Sequence, residues 1–201
     1  MWKWIIVLCV AMTSHLCAEK NVLAFAGSNR HGSVNEKLVN EAANIARQMN
    51  AHVTLISLKH YHMPIYSADE EIKEGMPAKV KEFRHLMIQN EVIFISSPEY
   101  NGSVPALLKN AIDWASRSET GTSSRDAFKG KTFVIMGASA GPTGGSRALV
   151  HLRAILEAIG GTVITEQVTI PFADKAFDEQ GHLKDPILKK QLEQLVQKAL
   201  S

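Results

Sequence analysis

The sequence is poor in cysteine and has no apolar segment long enough to cross a membrane as a helix. Its two cysteines, Cys9 and Cys17, both lie among the first eighteen of 201 residues. Residues 19–201 therefore offer no disulfide, no thiolate metal site and no cysteine nucleophile. The formal net charge is only +2, and no run of basic residues occurs, so a nucleic-acid partner is not expected.

With 45% hydrophobic and 21% charged residues, the chain has the composition of a globular protein, and its length suits one domain. The first eighteen residues differ from the rest and resemble a secretory leader. A lysine precedes the apolar segment Trp4–Met12, and the small residue Ala18 provides a cleavage point. These features divide the chain into a leader, residues 1–18, and a domain, residues 19–201. The protein is exported if the leader functions and cytoplasmic if translation starts at Met12, and in neither case is a stable membrane anchor expected.

Apolar runs and segments with helical spacing alternate along the domain. The apolar runs indicate five strands: residues 21–26, 52–58, 92–95, 132–136 and 162–165, the last extending as far as 170. The third has the unbroken apolar pattern of a strand buried on both faces. The main helical segments lie between or after them: residues 34–49, 77–87, 104–115, 146–159 and 185–199. This order predicts an α/β, flavodoxin-like, doubly wound domain whose five-stranded parallel sheet has the order 2-1-3-4-5, with helices on both faces.

Three polar loops follow strands that this order places side by side. They comprise residues 27–35, 97–103 and 137–145. In open α/β sheets, ligands bind at the carboxyl ends of the strands, at the point where the strand order reverses. Here that point lies between the first and third strands, so we expect the three loops to meet there.

The first loop has the features of an anion site. Ser28 and Ser33 offer hydroxyl groups, and Arg30 offers a charged guanidinium. The helix that starts after Ser33 presents its free N–H groups and the positive end of its dipole. An N-capped helix beside an unrelated arginine would explain the same residues. The loop matches neither the P-loop nor the G-x-G-x-x-G pattern, which disfavours ATP and classical dinucleotide binding.

The second loop is suited to a flat ligand, because Pro98 restricts the backbone, Gly102 frees it and Tyr100 supplies a ring. An ordinary turn between strand and helix is the alternative. The third loop is rich in glycine, which allows close approach of a ligand but also describes a flexible turn. His60 and His62 have no nearby cluster of ligating residues, so no metal site is expected.

Taken together, these motifs resemble the NADPH-dependent FMN reductase family, which includes quinone, azo-dye and chromate reductases. The resemblance covers about residues 21–168, and the tail after Thr169 does not match closely. It is carried by Gly27-Ser28-x-Arg30-x-x-Ser33-x-Asn35, by Pro98-Glu99-Tyr100-Asn101-Gly102-Ser103, by Leu108–Trp114, and in the third loop by Ala138-Ser139-x-Gly141 and Gly144-Gly145-x-Arg147.

The resemblance implies an enzyme that passes hydride from NADPH or NADH through bound FMN to a small-molecule oxidant. That oxidant would be a quinone, an azo compound, a metal oxyanion or free flavin. Residues of the first loop would hold the phosphate: Ser28, Arg30, Ser33 and Asn35. Residues of the other two loops would flank the flavin ring: Pro98, Glu99, Tyr100, Asn101, Gly102, Ser139 and Gly141. No catalytic side chain is implied, because the flavin carries the redox chemistry. A homodimer or homotetramer is also implied.

Several alternatives remain open at this stage. A flavodoxin-type FMN carrier would share the fold, but such carriers are usually strongly acidic and the charge of +2 argues against one. A flavin-free binding module is the third candidate. Glu99 is catalytic by residue type, although a loop carboxylate more often caps backbone N–H groups. Arg147 would contact substrate, a neighbouring subunit or solvent.

Overall fold

A parallel sheet forms the centre of the computed structural model, which describes residues 19–201. Its strands are β1 (Asn21–Ala26), β2 (His52–Leu55), β3 (Val92–Ser96), β4 (Thr132–Ala138), β5 (Thr162–Val163) and β6 (Val168–Ile170). Their order is β2-β1-β3-β4-β5, with β6 also paired to β4, and all pairs are parallel. The predicted flavodoxin-like order is therefore confirmed.

The predicted fifth strand is two short strands rather than one. β5 pairs with the start of β4, at Thr132 and Phe133, whereas β6 pairs with its end, from Met136 to Ala138. Between β5 and β6 the chain leaves the sheet, and the guanidinium of Arg153 donates to the carbonyl oxygens of Val163, Ile164 and Thr165. The side chain thus satisfies carbonyl groups that a continuous strand would offer to a neighbour.

The five predicted helices are present with bounds that differ by one or more residues, and two short helices were not predicted. The helices are α1 (Val34–Gln48), α2 (Ala68–Glu74), α3 (Ala78–Gln89), α4 (Ala106–Ala115), α5 (Ser146–Ala158), α6 (Ala173–Ala176) and α7 (Pro186–Leu200). The start of α2 has a signal in the sequence, since Ser67 accepts a hydrogen bond from the N–H of Glu70, three residues on. The predicted second strand ends early, at Leu55, and Leu58–His60 forms a 3₁₀ turn.

Alternate residues of β1, β3 and β4 enter two separate cores. On one face, Val22 and Ala24 of β1 pack in the cluster that contains buried residues of α1 and α7. On the other face, Leu23 and Phe25 pack with residues of α3, α4 and α5. Because both faces are covered, β3 is buried along its whole length, as its uninterrupted apolar run predicts.

Within residues 19–201, no helix combines the length and the apolar character that crossing a membrane requires. The predicted leader, including both cysteines and Met12, lies outside the described residues. Its cleavage, and the division of the chain at residue 18, stay predictions.

An ion pair between His182 and Glu41 connects the segment after α6 to the middle of α1. His182 Nδ1 lies 2.7 Å from Oε2 of Glu41, which is buried, while the histidine side chain is half exposed. The hydrogen bond with Glu41 and the attraction of its charge raise the pKa of His182, and Asp178 adds to this effect. Lys189 acts in the opposite direction. Protonated His182 therefore stabilises the folded chain at this contact.

We expect this contact to make stability depend on pH in a defined direction. A histidine whose pKa is raised by folding contributes fully below its unfolded pKa, about 6.5, and loses its contribution as the pH rises through the folded value. The Tm of the wild-type protein should therefore fall over this range relative to that of His182→Gln. His60→Gln, which changes an exposed histidine, is the matched control and should follow wild type. Parallel Tm curves for wild type and His182→Gln would contradict the assignment.

Candidate functional site

Three loops meet at the carboxyl edge of the sheet because β1, β3 and β4 are neighbours. We call them loop 1 (residues 27–33), loop 2 (residues 97–105) and loop 3 (residues 139–145). Backbone hydrogen bonds join the starts of loops 1 and 2 to neighbouring strands. The N–H of Gly27 donates to the carbonyl oxygen of Ser96, and the N–H of Ser97 donates to that of Met136, both at 2.8 Å. The structure thus brings together the three loops that the sequence analysis singled out.

Loop 1 presents several hydrogen-bond donors around the N-terminus of α1. Ser28 Oγ accepts the N–H of Arg30 at 3.2 Å, and Ser33 Oγ accepts the N–H of Asn35 at 3.3 Å as the N-cap of the helix. Both serines are buried, and Arg30 is exposed. Neither bond uses a hydroxyl hydrogen, so each serine can donate to an anion. With the guanidinium and the helix end, loop 1 has the donors that a phosphate requires.

The side chain of Asn35 faces the interior, whereas the sequence interpretation placed it beside a phosphate. Its Nδ2 donates to the carbonyl oxygen of Ala138 at 2.9 Å. Its Oδ1 accepts the N–H of Ala138 at 3.0 Å and the hydroxyl of Ser96 at 2.9 Å. Asn35 therefore ties α1 to the carboxyl ends of β3 and β4, where loops 2 and 3 begin.

Loop 2 contains a tight hairpin turn from Tyr100 to Ser103. The N–H of each of these residues donates to the carbonyl oxygen of the other, at 2.9 and 3.0 Å. Asn101 and Gly102 have φ values of +52° and +77°, which places both in the left-handed region. Two left-handed central residues define a type I′ turn, and Asn-Gly is its characteristic sequence. Tyr100 is 53% exposed and stands at the surface of this turn.

Glu99, at the start of this turn, caps the N-terminus of α5. Its carboxylate accepts the N–H of Arg147 at 3.1 Å and Nε of the same residue at 2.8 Å. Hydrogen bonds from Arg147 lower the pKa of Glu99, although burial acts in the opposite direction. Glu99 is therefore ionised at neutral pH and is not a proton donor. This arrangement agrees with the capping role considered for Glu99 above and gives Arg147 a partner within the chain.

Loop 3 is held by the tail that the sequence resemblance did not cover. The N–H groups of Phe172 and Ala173 donate to the carbonyl oxygens of Gly141 and Ser139, at 3.2 and 2.9 Å. A Cβ atom on Gly144 would lie 2.9 Å from backbone atoms of this tail, so only glycine permits the approach. Phe172 itself is 57% exposed and has a φ of +48°. Nothing in its sequence context identified it as part of this edge.

The predicted site residues thus all lie in the three loops or at their ends. Ser28, Arg30 and Ser33 surround the start of α1, and Tyr100 is presented to solvent, whereas Asn35 and Glu99 direct their side chains toward protein neighbours. Among residues 19–201, no group of three His, Cys, Asp or Glu side chains is placed to hold a metal ion.

Comparison with known proteins identifies the same family over most of the chain. The model of the NADPH-dependent FMN reductase family matches residues 20–175. An NAD(P)H-dependent FMN reductase from Pseudomonas aeruginosa is 36% identical over 178 residues, which cover 88% of this chain and 91% of that protein. A quinone reductase from Escherichia coli is 35% identical over 148 residues, which cover 72% of this chain and 73% of that protein.

Among solved structures, the chain is similar to a flavoenzyme NAD(P)H:(acceptor) oxidoreductase from Paracoccus denitrificans. The TM-score is 0.74 at 26% sequence identity, covering 90% of this chain and 95% of that one. An azoreductase from Bacillus anthracis has a TM-score of 0.58 at 18% identity and shares the fold.

The contacts of Asn35 predict a large loss of stability on its truncation. Asn35→Ala leaves the N–H of Ala138 and the hydroxyl of Ser96 buried without a partner, which costs about 1–3 kcal/mol for each group. Urea unfolding should therefore occur at a clearly lower midpoint. Asn40→Ala makes the same truncation at an exposed position on the same helix and should stay within about 0.5 kcal/mol of wild type. Equal midpoints for the two variants would show that the buried amide does not hold the loops.

Proposed function

The chain belongs to the NADPH-dependent FMN reductase family, and from this premise we propose how it acts. It is an FMN-dependent oxidoreductase that uses NAD(P)H as electron donor. The electron acceptor is a small molecule, for which we propose a quinone, an azo compound, a metal oxyanion or free flavin. Binding of FMN and both substrates takes place at the edge formed by loops 1, 2 and 3.

The donor set of loop 1 is the observation that carries this proposal. Ser28 and Ser33 only accept in the hydrogen bonds described above, so their hydroxyl groups can still donate. The side chain of Arg30 is exposed in the same loop, which leads into the positive end of α1. Together these groups match a doubly charged phosphate monoester in charge and in hydrogen bonding. The residues present therefore fit the phosphate of FMN.

Loops 2 and 3 supply the surroundings for a flat ring. Pro98 is buried at the base of loop 2, and the exposed ring of Tyr100 is available for stacking. Tyr100, Asn101 and Gly102 line one side in this proposal, with Ser139 and Gly141 on the other. Glycine at position 141 leaves room for close approach of a ligand to the backbone.

FMN, when bound, supplies the hydride chemistry, and the protein supplies binding, orientation and electrostatics. A general acid or base from this chain is not needed. Glu99, the carboxylate of loop 2, is ionised and bonded to Arg147, so it cannot provide a proton at neutral pH. The side chains of the three loops accordingly act in binding and positioning.

Two further properties stay predictions. The family resemblance implies a homodimer or homotetramer, and sedimentation velocity measures the oligomeric state. The compartment depends on residues 1–18, and mass spectrometry of the native N-terminus measures whether they are removed. A terminus at Glu19 would indicate cleavage and export.

We expect the purified protein to carry FMN and to oxidise NAD(P)H in the presence of a quinone. Acid-released cofactor should co-elute with FMN in chromatography. Nucleotide and acceptor share one site in this proposal, so initial rates should give parallel double-reciprocal lines. FMN without NAD(P)H oxidation would instead indicate an electron carrier. A protein that neither contains nor binds flavin would indicate a binding module and would overturn the proposal.

A further inference from the structure

We propose that Arg147 and His151 are positioning residues that fix the orientation of Tyr100 for stacking with flat ligands. Both lie on α5 and hold the two ends of the segment Glu99–Ser103. We call the pair of contacts the α5 clamp. The inference rests on the proposed function, which places the flavin ring beside loop 2.

The first contact of the clamp joins Glu99 to Arg147 through several hydrogen bonds. The backbone N–H of Arg147 donates to Oε2, Nε donates to Oε1 at 2.8 Å, and Nη2 lies 2.5 Å from Oε1. The Glu99 side chain is only 8% exposed, while that of Arg147 is 66% exposed. A carboxylate that receives both backbone and guanidinium donors has little freedom to rotate.

The second contact of the clamp lies one helical turn further along α5. His151 Nδ1 is 2.9 Å from the hydroxyl oxygen of Ser103. Residues four apart on a helix lie on the same face. Arg147 and His151 can therefore contact Glu99 and Ser103, the two ends of the segment, at the same time. The helix itself is a rigid support, because Leu149, Leu152 and other residues on its opposite face are fully buried.

The turn between these two contacts needs an external support. Its two internal hydrogen bonds set the shape of the turn but do not set its direction relative to the sheet, and an isolated hairpin turn is only marginally stable. The left-handed conformation of Asn101 belongs to the type I′ turn itself and sets no direction for it. Tyr100 is more than half exposed, so neighbouring side chains restrain its ring only partly. The direction of the ring therefore depends on the clamp.

The clamp can be removed without disturbing the core, because Arg147 and His151 are both exposed. We would compare wild type with Arg147→Ala, His151→Ala and the double variant. Arg147→Lys retains the charge but not the planar guanidinium. Lys198→Ala is the control, since it breaks another exposed ion pair, with Glu166 on the α7 side of the molecule.

The first readout is hydrogen exchange of the backbone amides of Tyr100 and Ser103, measured without flavin. Exchange at both should be faster in Arg147→Ala and His151→Ala and unchanged in Lys198→Ala. This readout does not depend on activity, so it tests the clamp even if the proposed function is wrong. Failure of the proposed function would appear separately, as absence of flavin from wild type.

The second readout is the division of the kinetic effect between KM and kcat. For a flat naphthoquinone, KM should rise about 3- to 10-fold in Arg147→Ala, because a partly exposed charge-assisted pair is lost. The change in kcat should be smaller. KM for ferricyanide, which is not flat, should change less, and Arg147→Lys should recover part of the loss. Unchanged amide exchange together with equal KM changes for both acceptors would overturn the proposal.

Discussion

The buried amide of Asn35 connects the three elements whose ends form the candidate site. Its oxygen accepts hydrogen bonds from the hydroxyl of Ser96 and the N–H of Ala138, and its NH₂ group donates to the carbonyl oxygen of Ala138. These contacts hold the N-terminus of α1 against the ends of β3 and β4, where loops 2 and 3 begin. Because a buried amide is stable only with its partners in place, the contact fixes the relative positions of all three loops.

The charges at this edge include an exposed positive group and a compensated ion pair. Arg30 is exposed in loop 1, which leads into the positive end of α1, whereas the carboxylate of Glu99 is bonded to Arg147 and to the backbone at the start of α5. In the proposed binding mode, a dianionic phosphate would meet donors at loop 1, while the Glu99 carboxylate of loop 2 is already paired with Arg147. Loop 2 in turn keeps an aromatic ring at the surface, where a flat group can stack.

Much of this architecture could be predicted from local sequence, and the remainder depends on contacts between distant residues. The alternation of strands and helices in a domain of this size predicted the strand order, and Ser33 predicted the cap of α1. The Asn101-Gly102 pair was a further local signal, since it is typical of a type I′ turn. By contrast, Asn35 contacts Ala138, 103 residues away, and Glu99 contacts Arg147, 48 residues away. No periodicity or spacing identifies such partners, and the same holds for Arg153, which donates to the carbonyl groups between β5 and β6.

The central claim is that loop 1 binds the phosphate of FMN, and the most direct measurement compares FMN with riboflavin, which lacks the phosphate. Apoprotein should bind FMN more tightly than riboflavin. Arg30→Ala should weaken FMN binding by about 10- to 150-fold, the loss expected for one hydrogen bond to a charged group, and leave riboflavin binding unchanged. Equal weakening of both ligands, or no change for either, would contradict the account.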